Sequence, residues 1–235
     1  MPMYNRNDAD RIRVIDRWDD GIGWLTHPEE DGRRASHAVR GPDGDVWLFD
    51  PLDAPGVDEL VAELGEVAGV AVFSNWHARD AGSFARRHDV AVHLPRWMDR
   101  IAERVDAPVQ RYGHEVGTSG FHVRRCSPLP GWDGAIAYRK SDDTLYVADV
   151  LGTAPLFTVG EERLGVYLLR RPFPPRSHFA AVRPERIIVG HGEGVFESAT
   201  GALSDALDNA RWRFPTAVAE SGGAQLRALF GALRD

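Results

Sequence analysis

Short runs of β-branched and aromatic residues recur at positions 46–49, 70–73, 90–92, 145–147 and 187–189, and each reads as a buried strand. Between them the apolar spacing lengthens to that of a helix. Val57, Leu60, Val61 and Leu64 fall at i, i+3, i+4 and i+7. Leu203, Ala206, Leu207 and Ala210 repeat that pattern, while Trp97, Ile101 and Val105 step by four. Helices and strands alternate in the first half. Further on, the apolar runs at 135–138 and 145–147 are joined only by a polar stretch, Arg139 to Thr144, which predicts a hairpin and therefore a mixed sheet. Positions 151–183 are rich in Pro, Gly and aromatic residues. They are expected to form a long ordered excursion with one helix near 164–169, serving as a packing arm more readily than as a lid.

Composition narrows the classes. The 235 residues suffice for one compact α/β domain, and 35 acidic against 28 basic side chains give a net charge of −7, which disfavours nucleic acid and anionic membranes as partners. A small molecule is the expected partner. No apolar stretch is long enough to span a bilayer and the start lacks the apolar core of a secretion signal, so a cytoplasmic location is expected. A single cysteine, Cys126, leaves only His, Asp and Glu to hold any metal, and it reads as a small core residue. The sequence contains no P-loop, dinucleotide fingerprint or G-x-S-x-G elbow.

Catalytic groups in α/β sheets sit where strands end. Here the run at 46–49 is followed by Asp50 and Pro51. The run at 70–73 is followed by Ser74, Asn75, Trp76, His77, Ala78, Arg79 and Asp80. Asp149 follows the run at 145–147 after Ala148, and Gly190, His191 and Gly192 follow 187–189. His88, His93, His114 and His122 lie elsewhere and read as surface or packing residues, and Asp50 reads as a turn-fixing residue.

This succession of endings, from Val46 to Gly192, resembles the metallo-β-lactamase superfamily. There, a strand ending in Asp precedes a helix and the next strand delivers an H-x-H-x-D-H motif. A third metal-binding His follows in a P-G-H-like turn, a strand ends in the Asp that bridges two metals, and a late strand ends in a G-H-G-like turn. The resemblance implies an α/β fold: a four-layer αββα sandwich, two mixed β-sheets flanked by helices, as one domain over residues 1–235. Residue by residue, the motif's first His is Asn75, its second is His77, its Asp is Arg79 and its last His is Asp80. The third His is Trp132, the bridging Asp is Asp149 and the final His is His191.

The resemblance therefore implies a degenerate metal motif. The three-His position keeps only His77 beside the neutral Asn75, a poor ligand for first-row metals. The second position retains His77, Asp80, Asp149 and His191, a two-His, two-carboxylate set that suits one Zn, Fe or Mn ion. Arg79 opposes an ion there, because its guanidinium stays protonated and competes for the carboxylates. The first expectation is that Arg79 replaces the cation by pairing with Asp80 and Asp149, and that no cofactor is bound. Two functions follow. One is a divergent protein without dinuclear metallohydrolase chemistry that binds a small molecule in the residual pocket. The alternative is a mononuclear hydrolase of a small ester, lactone or thioester. Asp80 and His77 are the candidate catalytic residues, and Trp76, Trp132 and Arg79 the candidate substrate-binding ones. A doubly wound protein with one sheet is the third reading.

Overall fold

The computed structural model describes residues 4, 5 and 7–232, the side chains of 221 and 224–232 excepted. The strands are β1 (Arg13–Trp18), β2 (Gly21–Leu25), β3 (Ala35–Arg40), β4 (Val46–Phe49), β5 (Val67–Ala71), β6 (Val92–Pro95), β7 (Val109–Tyr112), β8 (His122–Arg125), β9 (Ala135–Arg139), β10 (Thr144–Val147), β11 (Leu151–Gly152), β12 (Gly165–Val166) and β13 (Arg186–Val189). The helices are α1 (Val57–Ala62), α2 (Ala81–Arg87), α3 (Asp99–Ala102), α4 (Arg176–Phe179) and α5 (Ala199–Ala232).

The first sheet runs β1-β2-β3-β4-β5-β6-β7, antiparallel up to β4 and parallel from β4 to β7. The second runs β13-β10-β9-β8, with β10 parallel to β13 and the other neighbours antiparallel. Both are mixed, and the expected hairpin is β9–β10. The period-two alternation of a strand sorts the second sheet's residues between two cores. Ala135, Ala137, Tyr146 and Ile188 face the first sheet's Phe49 and Phe73. Ile136, Leu145, Val147, Ile187 and Val189 face outward, where Leu203, Ala206, Leu207 and Ala210 of α5 cover them. Leu60 and Val61 of α1 and Phe84 and Ala85 of α2 cover the first sheet's other side. The result is the expected αββα layering, and the single-sheet alternative is set aside.

Several local readings change. The strand expected at 70–73 starts earlier and ends at Ala71, and the one at 90–92 begins only at Val92. The four-residue spacing of Trp97, Ile101 and Val105 yields one helical turn, α3, since Val105 packs from a turn. The excursion carries no α-helix at 164–169. Gly165 and Val166 pair with β11 and a 3-10 turn follows at Leu168–Arg170. There Arg171, buried, donates to both carboxylate oxygens of Glu162 at 2.9 and 2.5 Å and to the Phe157 carbonyl at 2.6 Å. This clamp ties the excursion to itself, while Leu164, Val166, Phe179 and Val182 pack it against the outer core, and Phe157 and Tyr167 face the polar cluster described next.

Candidate metal centre

Strand register brings the cluster together. β10 and β13 are parallel with Val147 opposite Val189, so Asp149 and His191, each two residues beyond, emerge side by side at the strand ends. The turn must be glycine on both sides of His191. A Cβ on Gly190 would lie 2.4 Å from the Ala148 carbonyl oxygen, and Gly192 takes φ +100 with its Cβ position 2.2 Å from Thr153 Oγ1. His77 arrives from the loop after β5. Asp50 at the end of β4 and Arg79 both hold left-handed backbone, φ 46 and 41, a costly conformation for side chains of this kind and one that concentrates at functional sites.

His77 Nε2 lies 3.0 Å and His191 Nε2 3.3 Å from the same oxygen, Asp149 Oδ1, and all three side chains are buried. The far side of each imidazole is already committed. His77 Nδ1 donates to Asp50 Oδ2 at 2.8 Å, and His191 Nδ1 donates to the Gly32 carbonyl at 2.7 Å. Asp50 is fixed in turn, accepting the Phe73 amide at 2.9 Å and the Tyr146 hydroxyl at 2.5 Å. Its role therefore exceeds the turn-fixing one expected of it: it orients His77 from behind. Since a carbonyl only accepts, the neutral His191 ring presents a bare Nε2 lone pair to a carboxylate oxygen. Two lone pairs facing one another at 3.3 Å need a proton or a cation between them.

The charges agree with that reading. Burial and the other cations push the His191 ring down, although Asp149 pulls the other way, so its neutral form is favoured. His77 is also desolvated and lies near Arg79, but the carboxylates of Asp149 and Asp50 outweigh both and raise it. Asp149 is held well below the usual carboxylate range despite burial, by the His77 charge and the bond that His77 donates.

The remaining candidates are placed differently from expectation. Asp80 precedes α2 and accepts the Asp53 amide at 2.8 Å, and it lies outside the cluster of His77, Asp149 and His191. Arg79 makes no ion pair with Asp80 or Asp149 among the described residues. Its Nη1 donates to the carbonyls of Ala35 and Asp50 at 2.6 and 2.7 Å and its Nη2 to that of Gly190 at 3.2 Å, while Nη2 stands 3.5 Å from His77 Nε2. The expected carboxylate pairing is thus replaced by a grip on three strand ends, because carbonyls rather than carboxylates surround the guanidinium. Trp132 is more than a wall: its Nε1 donates to Asp149 Oδ2 at 2.9 Å. Asn75 donates to the Gly131 carbonyl at 3.1 Å. Trp132 thus acts as a donor, which a metal ion would not accept as a ligand, while Asn75 donates through its amide nitrogen and keeps a buried, unpartnered Oδ1. Trp76 packs edge-on to Trp132 at 6.2 Å, with Arg100 and Arg104 over its ring.

Phe157 stacks on His191 at 5.4 Å and Tyr167 packs on Trp132 at 5.4 Å, so aromatic rings wall the cluster. Tyr4 lies over His191 at 6.3 Å, and its neighbour Asn5 is pinned by Glu30 and Arg34. A cleft of 880 Å³ between this arm and the turn opening α1 reaches Arg79 and Asp80. Tyr146 and the second buried pair behind it, Asp16 with His37 at 3.1 Å, carried no motif and were invisible in the sequence. Cys126 is buried, and burial pushes its thiol up to about 12. No helix among the described residues is long and apolar enough to cross a membrane.

No protein-family model and no curated protein sequence matches the chain. Solved structures do. A DIM-1 metallo-β-lactamase exposed to ceftazidime superposes with a TM-score of 0.60 at 9% identity, over 87% of this chain and 100% of its own. TMB-1 gives 0.59 at 13% identity, over 85% and 98%. A metallo-β-lactamase from Pontibacter korlensis gives 0.58 at 13% identity, over 85% and 100%.

Proposed function

We propose, on the premise that this chain has the metallo-β-lactamase fold, that it has lost the dinuclear centre and works as a mononuclear metal-dependent hydrolase. The observation that carries this is the convergence of His77 Nε2, His191 Nε2 and Asp149 Oδ1, with both Nδ1 atoms already bound on the far side. Metal-binding histidines have this signature, since a partner behind the ring fixes its tautomer and raises its basicity. Three protein ligands with one position left over is also the pattern of catalytic rather than structural sites. One Zn, Fe or Mn ion fits that donor set, and when bound it supplies a water acidified toward neutrality and a Lewis acid for a carbonyl oxygen.

The chain's own residues prepare the site. Asp50 and the Gly32 carbonyl hold the two rings in the required tautomers, and Tyr146 holds Asp50. Trp132 occupies Asp149 Oδ2, which leaves Oδ1 as the oxygen facing both imidazoles. Phe157, Tyr167 and Trp132 exclude bulk water, which strengthens every charge interaction inside. Small esters, lactones or thioesters are the proposed substrates, on the analogy of the fold and the aromatic character of the walls.

A metal-free reading has one observation behind it. His77, raised by two carboxylates, serves as an imidazolium bridge between Asp50 and Asp149 without any ion. Elemental analysis of protein purified without chelator or metal-binding tag separates the two. We expect about one equivalent of Zn, Fe or Mn, as a three-ligand site holds one ion, and its loss together with ester and lactone turnover in Asp149→Ala. No metal after addition of excess would establish the bridge instead.

A further inference from the structure

Three strand-end carbonyls, from Ala35 at the start of β3, Asp50 after β4 and Gly190 after β13, point at one place, and the Arg79 guanidinium fills it. Carbonyl oxygens converging from two sheets make a region of negative potential with no side-chain carboxylate in it, which is what a weakly hydrated cation needs. The grip is made entirely by the two terminal nitrogens. Arg79 Nε is buried and has no partner, so what the pocket recognises is the guanidinium end and not the stem. Two of the three carbonyls belong to pillars of the metal cluster. Asp50 holds His77 through its carboxylate, and Gly190 immediately precedes His191.

We propose that these three carbonyls form a built cation pocket whose resident is the Arg79 guanidinium, and that Arg79 is a positioning residue that sets the orientation of His77 and His191 by gripping the backbone behind each. The pocket will accept a free guanidinium ion when the side chain is removed. The pocket itself stands on the three bonds alone, while the orienting role rests on the metal-centre reading above.

The test is chemical rescue of Arg79→Ala. In metal-free protein the variant melts several degrees below wild type, because the Ala35 carbonyl loses its side-chain donor and those of Asp50 and Gly190 keep only the Ser36 hydroxyl and the Ala35 amide. Guanidinium chloride at low millimolar concentration, too dilute to denature, restores the greater part of that loss by binding the folded state. Equal sodium chloride does not, and wild type does not respond. A melting temperature equal to wild type, or recovery no greater with guanidinium than with sodium, would overturn the pocket. In cobalt-loaded protein the visible spectrum of the site shifts in Arg79→Ala and returns with guanidinium; an unchanged spectrum would overturn the orienting role while leaving the pocket. Should Arg79→Ala prove insoluble, Arg79→Lys carries the decision. Its ammonium reaches less far, so lowered stability and an altered cobalt spectrum are expected, and identity with wild type in both refutes the proposal. Failure of wild type to bind cobalt or zinc at all overturns the metal reading and the orienting role built on it, and the rescue experiment still decides the pocket.

Discussion

At the scale of single residues, Asp149 is the group on which most of the local chemistry converges. Both oxygens are occupied, one by two imidazoles and one by the Trp132 indole. Trp132→Phe keeps an aromatic wall and deletes the donor, so a loss of about 1–3 kcal/mol is expected in urea unfolding of metal-free protein, a hydrogen bond to a charged acceptor being at stake. Tyr146→Phe removes the hydroxyl from Asp50 and should cost a similar ~1–3 kcal/mol, with weaker metal retention because His77 loses its fixed backing. Opposite signs are expected in the pH dependence of metal-free stability. His191 is lowered in the folded state, so the unfolded chain takes up a proton first and stability falls as pH drops below about 6.5. Asp149 adds a further loss as pH falls from about 3.9 toward its own depressed value. His77 is raised, so its contribution is full below about 6.5 and disappears as pH climbs through its folded value. Unfolding curves of His77→Gln and His191→Gln across pH should separate these arms, the first losing the alkaline decline and the second the onset near neutrality. His77, Asp149 and His191 were legible in the sequence because strand ends carry them in a known order. The true work of Arg79 and Trp132 was not, since nothing in a sequence says that a cation will meet carbonyls or that an indole will meet a carboxylate.

Elements were legible where one face of a strand or helix is buried and the period is clean. β4, β10, β13 and the hairpin β9–β10 meet that condition. The first three strands were passed over. β2 and β3 are buried on nearly every residue, so no alternation marks them, and their glycines and short polar residues hide the pattern. The excursion is ordered as its apolar content predicts, through core residues such as Leu164, Val166, Phe179 and Val182 and a buried internal ion pair, in place of the helix expected at 164–169. Arg171→Met leaves the buried Glu162 carboxylate with the Val159 amide and, among the described residues, the more distant Arg213 as its one cation. A loss of roughly 3 kcal/mol or more is expected, together with faster proteolysis within 151–183 and weaker shielding of His191 as Phe157 loosens. Limited proteolysis with mapped cuts checks it; cuts confined to other loops would show that the excursion has a different anchor.

For the molecule as a whole, the two sheets meet along a polar line that crosses their interface. The Gly32 carbonyl, His191, Asp149, His77, Asp50 and Tyr146 are joined in sequence, and they come from both sheets and from the loop before β3. The αββα sandwich was legible through the resemblance carried by the order of strand ends, and the hairpin at β9–β10 already implied a mixed sheet. The pairing of β10 with β13 was not, since no single-sequence pattern encodes it. The line across the interface has a thermodynamic corollary. An ion seated at its centre can be held only while the sheets are docked, so occupancy and folding are linked equilibria. At a free metal concentration a hundredfold above the dissociation constant, the docked state gains about 2.7 kcal/mol. A melting temperature that climbs with the logarithm of added zinc, and falls back under chelator, would make the bilayer of sheets itself a reporter of what its centre holds.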